Sequence, residues 1–265
     1  MTKSLRILVS NDDGIHAQGL AVLENIAHAL SDDVWVVAPE DEQSGASHSL
    51  SLNNPIRMRH LGERKFAVRG TPTDCVLMAL KQVIPGRKPD LVLSGVNRGV
   101  NIAEDVTYSG TIAAAMEGTQ LGVPSIALSQ AYGKGSPKEI KWSCAEAHGP
   151  DIITRLLKSG WPEDVLMNVN FPNKEPDDVT GVVVTEQGSW DQSDTYIDAR
   201  VDVRGNEYFW LGYKHQAGAN RKGTDVYALY HGQISITPLH LNLTHRPSHE
   251  KLSKAFQGAS VEKPY

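Results

Sequence analysis

Residues 7–20 read ILVSNDDGIHAQGL, and the fold turns on how this stretch divides. Leu5–Ser10 is a near-continuous apolar run, as shown by a parallel strand that is covered on both faces. It stops at two adjacent carboxylates, Asp12 and Asp13, followed by Gly14. Ala17–Leu30 then carries Leu20, Leu23, Ile26, Ala27 and Leu30 at helical spacing. Strand, polar turn and helix in that order predict the first part of a βαβ unit.

The alternation continues along the chain. Asp33–Ala38 (DVWVVA) is a second strand stopped by Pro39, followed by a Gly/Ser-rich loop, EDEQSGASHS. Two short extended pieces lie near Pro55–His60 and Lys65–Val68. Asp74–Ile84 reads as helix, Asp90–Ser94 as strand, Gly110–Leu121 as helix and Pro124–Ser129 as strand. Ser143–Lys158 is helical and Val165–Asn170 extended. This order predicts an α/β protein with a doubly wound, Rossmann-like, mostly parallel sheet.

From about Gly181 the texture changes. Val182–Thr185, Tyr196–Val203, Glu207–Tyr213, Tyr227–Tyr230 and Gln233–Thr237 read as strands joined by Gly-bearing turns, with no helix among them. The expected division is a core at 1–180, an antiparallel hairpin extension at 181–245 and a polar tail at 246–265. Isolated hairpins are marginal in water, so the extension is expected to pack on another subunit.

Composition narrows the classes of function. With 265 residues the chain can bury a large core. A net charge of −5 and no basic run argue against nucleic acid held by bulk electrostatics. Cys75 and Cys144 are the only cysteines, which makes no disulfide framework and no cysteine-rich zinc site. No apolar stretch approaches the roughly 20 residues that span a bilayer. The first residues hold no secretory apolar region, so the expectation is a cytoplasmic protein with no membrane partner.

In open α/β sheets ligands bind beyond the carboxyl ends of the strands. After the first strand come Asn11-Asp12-Asp13-Gly14, and after the second, Gln43-Ser44-Gly45-Ala46-Ser47. After DLVLS comes Gly95-Val96-Asn97-Arg98-Gly99-Val100-Asn101, and Tyr108-Ser109-Gly110-Thr111 opens a helix. Four distant segments thus bring carboxylate, hydroxyl and amide oxygens to one rim. An adjacent acid pair alone is ordinarily a solvated turn, and Ser-Gly-Thr alone an ordinary helix cap. Together they suit a hard cation such as Mg²⁺, Mn²⁺ or Ca²⁺, with a helix start suited to phosphate.

Other residues are less pointed. His16 lies near the acids, where a supporting role and a packing role both remain open. Arg98 is open between a phosphate contact and a surface ion pair. His240, His245 and His249 lack any metal-ligand spacing. Ser47 and Ser49 lack a nucleophile elbow, and Cys75 reads as a buried helix residue.

Five stretches, ILVSNDDGIHAQGL, VVAPEDEQSGASHSLSL, RGTPTDCVLMAL, PDLVLSGVNRGVN and YSGTIAAAMEG, resemble the SurE family of stationary-phase survival phosphatases, the 5′/3′-nucleotidases. The likeness runs from residue 5 to about 129 and continues more weakly through MNVNFP and ISITPL. The resemblance implies one divalent ion per subunit, Mg²⁺ or Mn²⁺, held by Asp12, Asp13, Ser44 and Asn97. It also implies that Asn101, Ser109, Gly110 and Thr111 surround the phosphate of a nucleoside monophosphate, with Asp12 and Asp13 as the catalytic acids. Metal-activated water would attack phosphorus directly. A homodimer or homotetramer, assembled by exchange of C-terminal segments, is implied as well. Gln43 departs from the pattern, standing where relatives carry a basic residue.

The rivals are a receiver-like signalling module and a non-catalytic nucleotide-binding module. A receiver needs a phospho-acceptor Asp and a Lys at later strand ends, where this chain has Gly95-Val96-Asn97 and Ser129-Gln130-Ala131. A haloacid-dehalogenase phosphatase needs a nucleophilic Asp two residues before Asp13, where Asn11 stands. An assay against phosphate monoesters separates a binding module from an enzyme.

Overall fold

The structure is a computed structural model that describes residues 5–133, 136–190, 192–216 and 221–257. The strands are β1 (Arg6–Ser10), β2 (Asp33–Pro39), β3 (Arg57–Gly62), β4 (Lys65–Arg69), β5 (Leu91–Arg98), β6 (Ser125–Gln130) and β7 (Tyr132–Gly133), then β8 (Ser136–Ile140), β9 (Val165–Phe171), β10 (Gly181–Val184), β11 (Gln192–Val201), β12 (Glu207–Gln216) and β13 (Gln233–His240). The helices are α1 (Gln18–His28), α2 (Pro72–Met78), α3 (Gly110–Gln120), α4 (Trp142–Ser159), α5 (Asp225–Tyr230) and α6 (Arg246–Ala255).

Nine strands form one sheet in the order β10-β13-β9-β6-β5-β1-β2-β4-β3. Pairing is parallel from β9 through β4, while β13 joins β9 and β3 joins β4 antiparallel. The chain moves one way from β1 to β2 and the other way to β5. That reversal makes the carboxyl ends of β1 and β5 a topological switch point, where an open sheet leaves a crevice.

Period-two alternation divides the core between two layers. Ile7 and Val9 face a cluster that includes Leu20, Leu23 and Ile26 of α1 and Ile152 and Ile153 of α4. Leu8 faces the other side, with Val37, Cys75, Val76 and Ala114. Ile7, Leu8 and Val9 are all completely buried, which explains the unbroken apolar run. Among the described residues no helix is long and apolar enough to cross a membrane.

The doubly wound, mostly parallel architecture stands as the sequence predicts, with antiparallel pairs added at its margins. Several details differ. First, Tyr227–Tyr230 is helical, within α5: Thr224 caps the helix by accepting from the Tyr227 N–H, and burial of Asp225, Val226 and Ala228 outweighs the β propensity of Val and Tyr. Second, β10 and β13 pair parallel with each other and extend the main sheet, so of the expected hairpins only β11–β12 forms a sheet of its own. Third, the polar tail carries α6, whose side chains are all exposed; residues 258–265 of that tail lie outside the described residues.

Strand β5 also outruns the predicted Asp90–Ser94 and reaches Arg98, with an irregular register between Ser94 and Asn97. Gly95 makes this possible. Its φ of +130° excludes an ordinary side chain, and a Cβ there would lie 2.2 Å from the Leu128 carbonyl oxygen. Asn97 therefore sits on the end of a strand held between β1 and β6.

Candidate active site

Asp12 lies two residues past the end of β1 and is 4% exposed. The Thr111 hydroxyl donates to its Oδ1 at 2.6 Å, and the Gln43 N–H donates to its backbone oxygen at 2.8 Å. Asp13 is half-buried, and its Oδ2 accepts from the Arg98 N–H at 3.1 Å. The two acids thereby touch all three of the other rim segments. Asn11, the residue before them, spends its amide on the Gly14 carbonyl at 3.0 Å. Its Oδ1 is buried without a hydrogen-bond partner, as are Ser10 Oγ and Ser94 Oγ.

Ser109 caps α3, accepting from the Ile112 N–H at 3.0 Å. Gly110 is required by proximity, since a Cβ there would lie 2.7 Å from Asp12 Cβ and 3.0 Å from Asp12 Oδ2. The positive end of α3 is thus pressed against the Asp12 carboxylate. Thr111, expected near phosphate, commits its hydroxyl to Asp12.

These contacts do not offset the burial of two like charges. Asp12 is pushed up to about 7, by burial first and by the neighbouring Asp13, against the stabilising bonds from Thr111. Asp13 is also raised, by burial first and by Glu42, against the Arg98 amide and charge. The protein by itself leaves the pair short of positive charge.

The remaining rim residues stand as follows. Asn97 donates to the Gly99 carbonyl at 3.0 Å, which leaves its Oδ1 as an acceptor. Ser44 is exposed and donates to Glu42 Oε1 at 2.8 Å. Its loop is pinned by Gln43 to Asp12 and by the Ser47 hydroxyl to the Thr107 carbonyl at 2.8 Å. His48 meets the buried Glu117 of α3 at 3.0 Å. Neither Ser44, Asn97 nor Asn101 is hydrogen-bonded to the side chain of either acid.

Asn101 sits in a buried polar network that the motif reading missed. Its side-chain amide donates to Ser129 Oγ at 2.8 Å, and its N–H donates to Asn170 Oδ1 at 2.9 Å. Its carbonyl accepts from Asn168 at 2.7 Å and from Asn170 at 3.1 Å. The signal was present: VLMNVNF sets two amides on one face of a strand that is buried throughout. Buried amides need partners, and here the partner is a rim residue.

Of the residues left open, His16 is exposed, and Arg98 forms only a long 3.9 Å pair with Glu42, both side chains more than half exposed. Cys75 is fully buried, with its thiol pushed well up by burial and by Asp74. His245 and His249 lie on or beside the exposed α6. Among the described residues no group of three or more His, Cys, Asp or Glu is disposed to hold a metal. A cation here would rest on two carboxylates and neutral oxygens. The fit is that of a hard ion: an uncompensated buried acid pair, Asn97 Oδ1 and the Ser44 hydroxyl. Beside Asp13 a polar cleft of about 530 Å³ opens, lined by Gln18, Glu42, Arg98 and Trp142.

Comparison with known proteins identifies the family. A family described as Survival protein SurE matches residues 7–194. The 5′-nucleotidase SurE of Parvibaculum lavamentivorans is 61% identical over 254 residues, covering 96% of this chain and 92% of that protein. The protein of the same name from Caulobacter vibrioides is 55% identical over 260 residues, covering 98% and 99%. The crystal structure of the SurE protein from Aquifex aeolicus superposes with a TM-score of 0.81 at 36% identity, covering 94% of this chain and 99% of that one. With a family match over most of its length and relatives alike from end to end, the chain belongs to the SurE family.

Proposed function

We propose that the protein is a divalent-cation-dependent phosphatase that hydrolyses nucleoside 5′-monophosphates, and 3′-monophosphates, to nucleoside and inorganic phosphate. The observation that carries this is Asp12, buried beside a second acid and pressed against the start of α3. The printed names of the relatives at 55–61% identity, 5′-nucleotidase SurE, support the substrate class.

Asp12, Asp13, Asn97 Oδ1 and Ser44 Oγ would hold one Mg²⁺ or Mn²⁺ per subunit. When bound, such an ion supplies Lewis-acid polarisation of the phosphoryl group and lowers the pKa of a coordinated water. The chain's own residues do the rest. The α3 start at Ser109 and Gly110 presents backbone N–H groups and the positive helix end to the phosphoryl oxygens. Asn101, held by Ser129, Asn168 and Asn170, bounds the other side. A carboxylate of the pair accepts the proton that water loses on attack, and the ester oxygen leaves with a proton from solvent. Asn11 occupies the position of a haloacid-dehalogenase nucleophile and is an amide already bonded to Gly14. A single displacement by water therefore fits, with inversion at phosphorus.

The test is a panel of nucleoside monophosphates assayed with Mg²⁺, Mn²⁺ and chelator. Phosphate release that chelator abolishes is expected. Binding without turnover under every condition would leave a nucleotide-binding module instead. A substrate chiral at phosphorus checks the mechanism, and retention or a trapped phosphoprotein would overturn it.

In our reading the core at 1–180 carries this chemistry; within 181–245, whose β10 and β13 join the main sheet, the β11–β12 hairpin serves assembly, with 246–265 as an appendix. Support comes from the β11–β12 hairpin, a separate two-stranded sheet that exposes Ile197, Phe209, Trp210 and Leu211. Light scattering of active protein at micromolar concentration is expected to give a dimer or tetramer, and a monomer would refute it.

A further inference from the structure

The stretch RGTPTDCVLMAL, residues 69–80, supplies none of the candidate ligands, yet it is built around a buried acid. Asp74 is 1% exposed. Its Oδ2 accepts from the Thr71 N–H at 2.9 Å, and the Thr71 hydroxyl oxygen accepts from the Asp74 N–H at 3.1 Å. These are the reciprocal bonds of a capping box at the start of α2. A capping box uses one oxygen of the acid and one lone pair of the hydroxyl. What is left over reaches into the loop that carries Ser44. Asp74 Oδ1 accepts from the Ser51 N–H at 3.1 Å. The Thr71 hydroxyl donates to the Ser49 carbonyl at 2.8 Å, and the Ser49 hydroxyl donates to the Ala46 carbonyl at 2.8 Å.

The same loop is tied to α3. His48 Nε2 meets Glu117 Oε2 at 3.0 Å, on a carboxylate side chain that is 7% exposed. Ser47, whose φ of +51° lies in the left-handed region, donates its hydroxyl to the Thr107 carbonyl shortly before that helix. A residue other than glycine is kept in that region only where its surroundings over-determine it. Helices α2 and α3 share one core cluster through Cys75, Val76 and Ala114, so the loop is clasped by a packed pair.

Helix α3 also fixes Asp12. Thr111 bonds Asp12, and Glu117, six residues or about 9 Å further along the helix, bonds His48. One helix thus sets both the acid and the Ser44 loop. Ser44 by itself is exposed, with its hydroxyl on the exposed Glu42. A neutral hydroxyl adds little to a cation site if its loop must first be ordered to present it.

We propose that His48, Thr71, Asp74 and Glu117 are positioning residues that keep the 43–51 loop ordered before any ligand binds, so that Ser44 is already in place for the cation. The proposal rests on the cation-dependent reading above.

The test uses the full chain, freed of cations, with Mn²⁺ affinity read by titration calorimetry and loop order by amide hydrogen exchange over residues 43–51. His48→Ala is expected to speed exchange in the loop and to weaken Mn²⁺ binding about 10-fold, the low end of what groups behind a metal ligand contribute. His48→Gln keeps a donor for Glu117 and should restore both. Thr71→Val and Thr71→Ser make the same comparison from the α2 side, and decide the matter if His48→Ala does not fold. Because the effect passes through Ser44, Ser44→Ala combined with His48→Ala should bind Mn²⁺ no more weakly than the weaker single variant. Additive losses, or faster exchange with unchanged Mn²⁺ affinity, would overturn the positioning role and leave the cation site standing. A wild type that binds no Mn²⁺ would sink the cation site itself, and this role with it.

Discussion

Among the described residues Asp12, Asp74 and Asp225 are buried, and the first and last of them are held in opposite ways. Asp225 starts α5 and accepts from three backbone N–H groups: Ala103 at 3.1 Å, Gly188 at 2.7 Å and Val226 at 2.7 Å. No second carboxylate is among the groups that shift it; burial raises it and those three amides oppose the rise. Asp12 has one side-chain donor, Thr111, and a like charge beside it. Asp225 staples three segments and needs nothing more. Asp12 is left with one donor and a like charge, and in the reading proposed above a cation supplies the missing half. A buried acid is thus informative through what satisfies it rather than through burial alone.

The sharpest way to break this contrast is Asp13→Asn. Removing one carboxylate should cut cation-dependent phosphate release by about 10³-fold or more, since a charged hard ligand is lost. The fold should be kept, with a melting temperature at or above that of wild type. Wild-type turnover and cation affinity in this variant would end the assignment.

Asp225→Ala should do the reverse, acting on stability before chemistry. It leaves three amides without their acceptor, for a loss of about 2–4 kcal/mol. Denaturant unfolding measures it, and an unchanged midpoint would show that Asp225 is no staple.

Asp12→Asn sharpens the comparison through pH. A carboxyl raised from 3.8 in the unfolded chain to about 7 in the fold stabilises the fold fully below its unfolded pKa. That stabilisation is lost as pH rises through about 7. Without cations, Asp12→Asn should therefore be more stable than wild type at pH 8, by about 1–3 kcal/mol. The gap should close toward pH 4. With saturating Mg²⁺ or Mn²⁺ the order should invert, because only the acid pair binds the ion tightly. A lower melting temperature for the cation-free variant at pH 8 would contradict the picture.

How much of this the sequence disclosed depends on how local each cause is. The strands and helices that carry the rim were legible because burial on both faces writes an unbroken apolar run, and α1 writes its spacing. The acid pair and Ser109-Gly110-Thr111 were legible because strand ends and helix starts have local signatures. The roles of Ser129, Asn168 and Asn170 were not, since a buried amide shows its purpose only when the partner across the sheet is known. Nor does the sequence single out Asp225, for the same reason. Its three donors include Ala103 and Gly188, 122 and 37 residues away in sequence. The parallel pairing of β10 with β13 likewise depends on what fills the space between them in sequence.

The hydrogen bond from Thr111 to Asp12 spans 99 residues, and that span has a consequence for synthesis. At an elongation rate of about 5–20 residues per second, the acid pair leaves the ribosome several seconds before the helix that faces it. A nascent chain that ends before α3 holds Asp12 and Asp13 without the helix start that faces them. The proposed site is therefore a late product of folding, closed only after β5 and α3 have docked on β1. Truncated chains arising from interrupted translation or early proteolysis would carry the first motif and none of the activity.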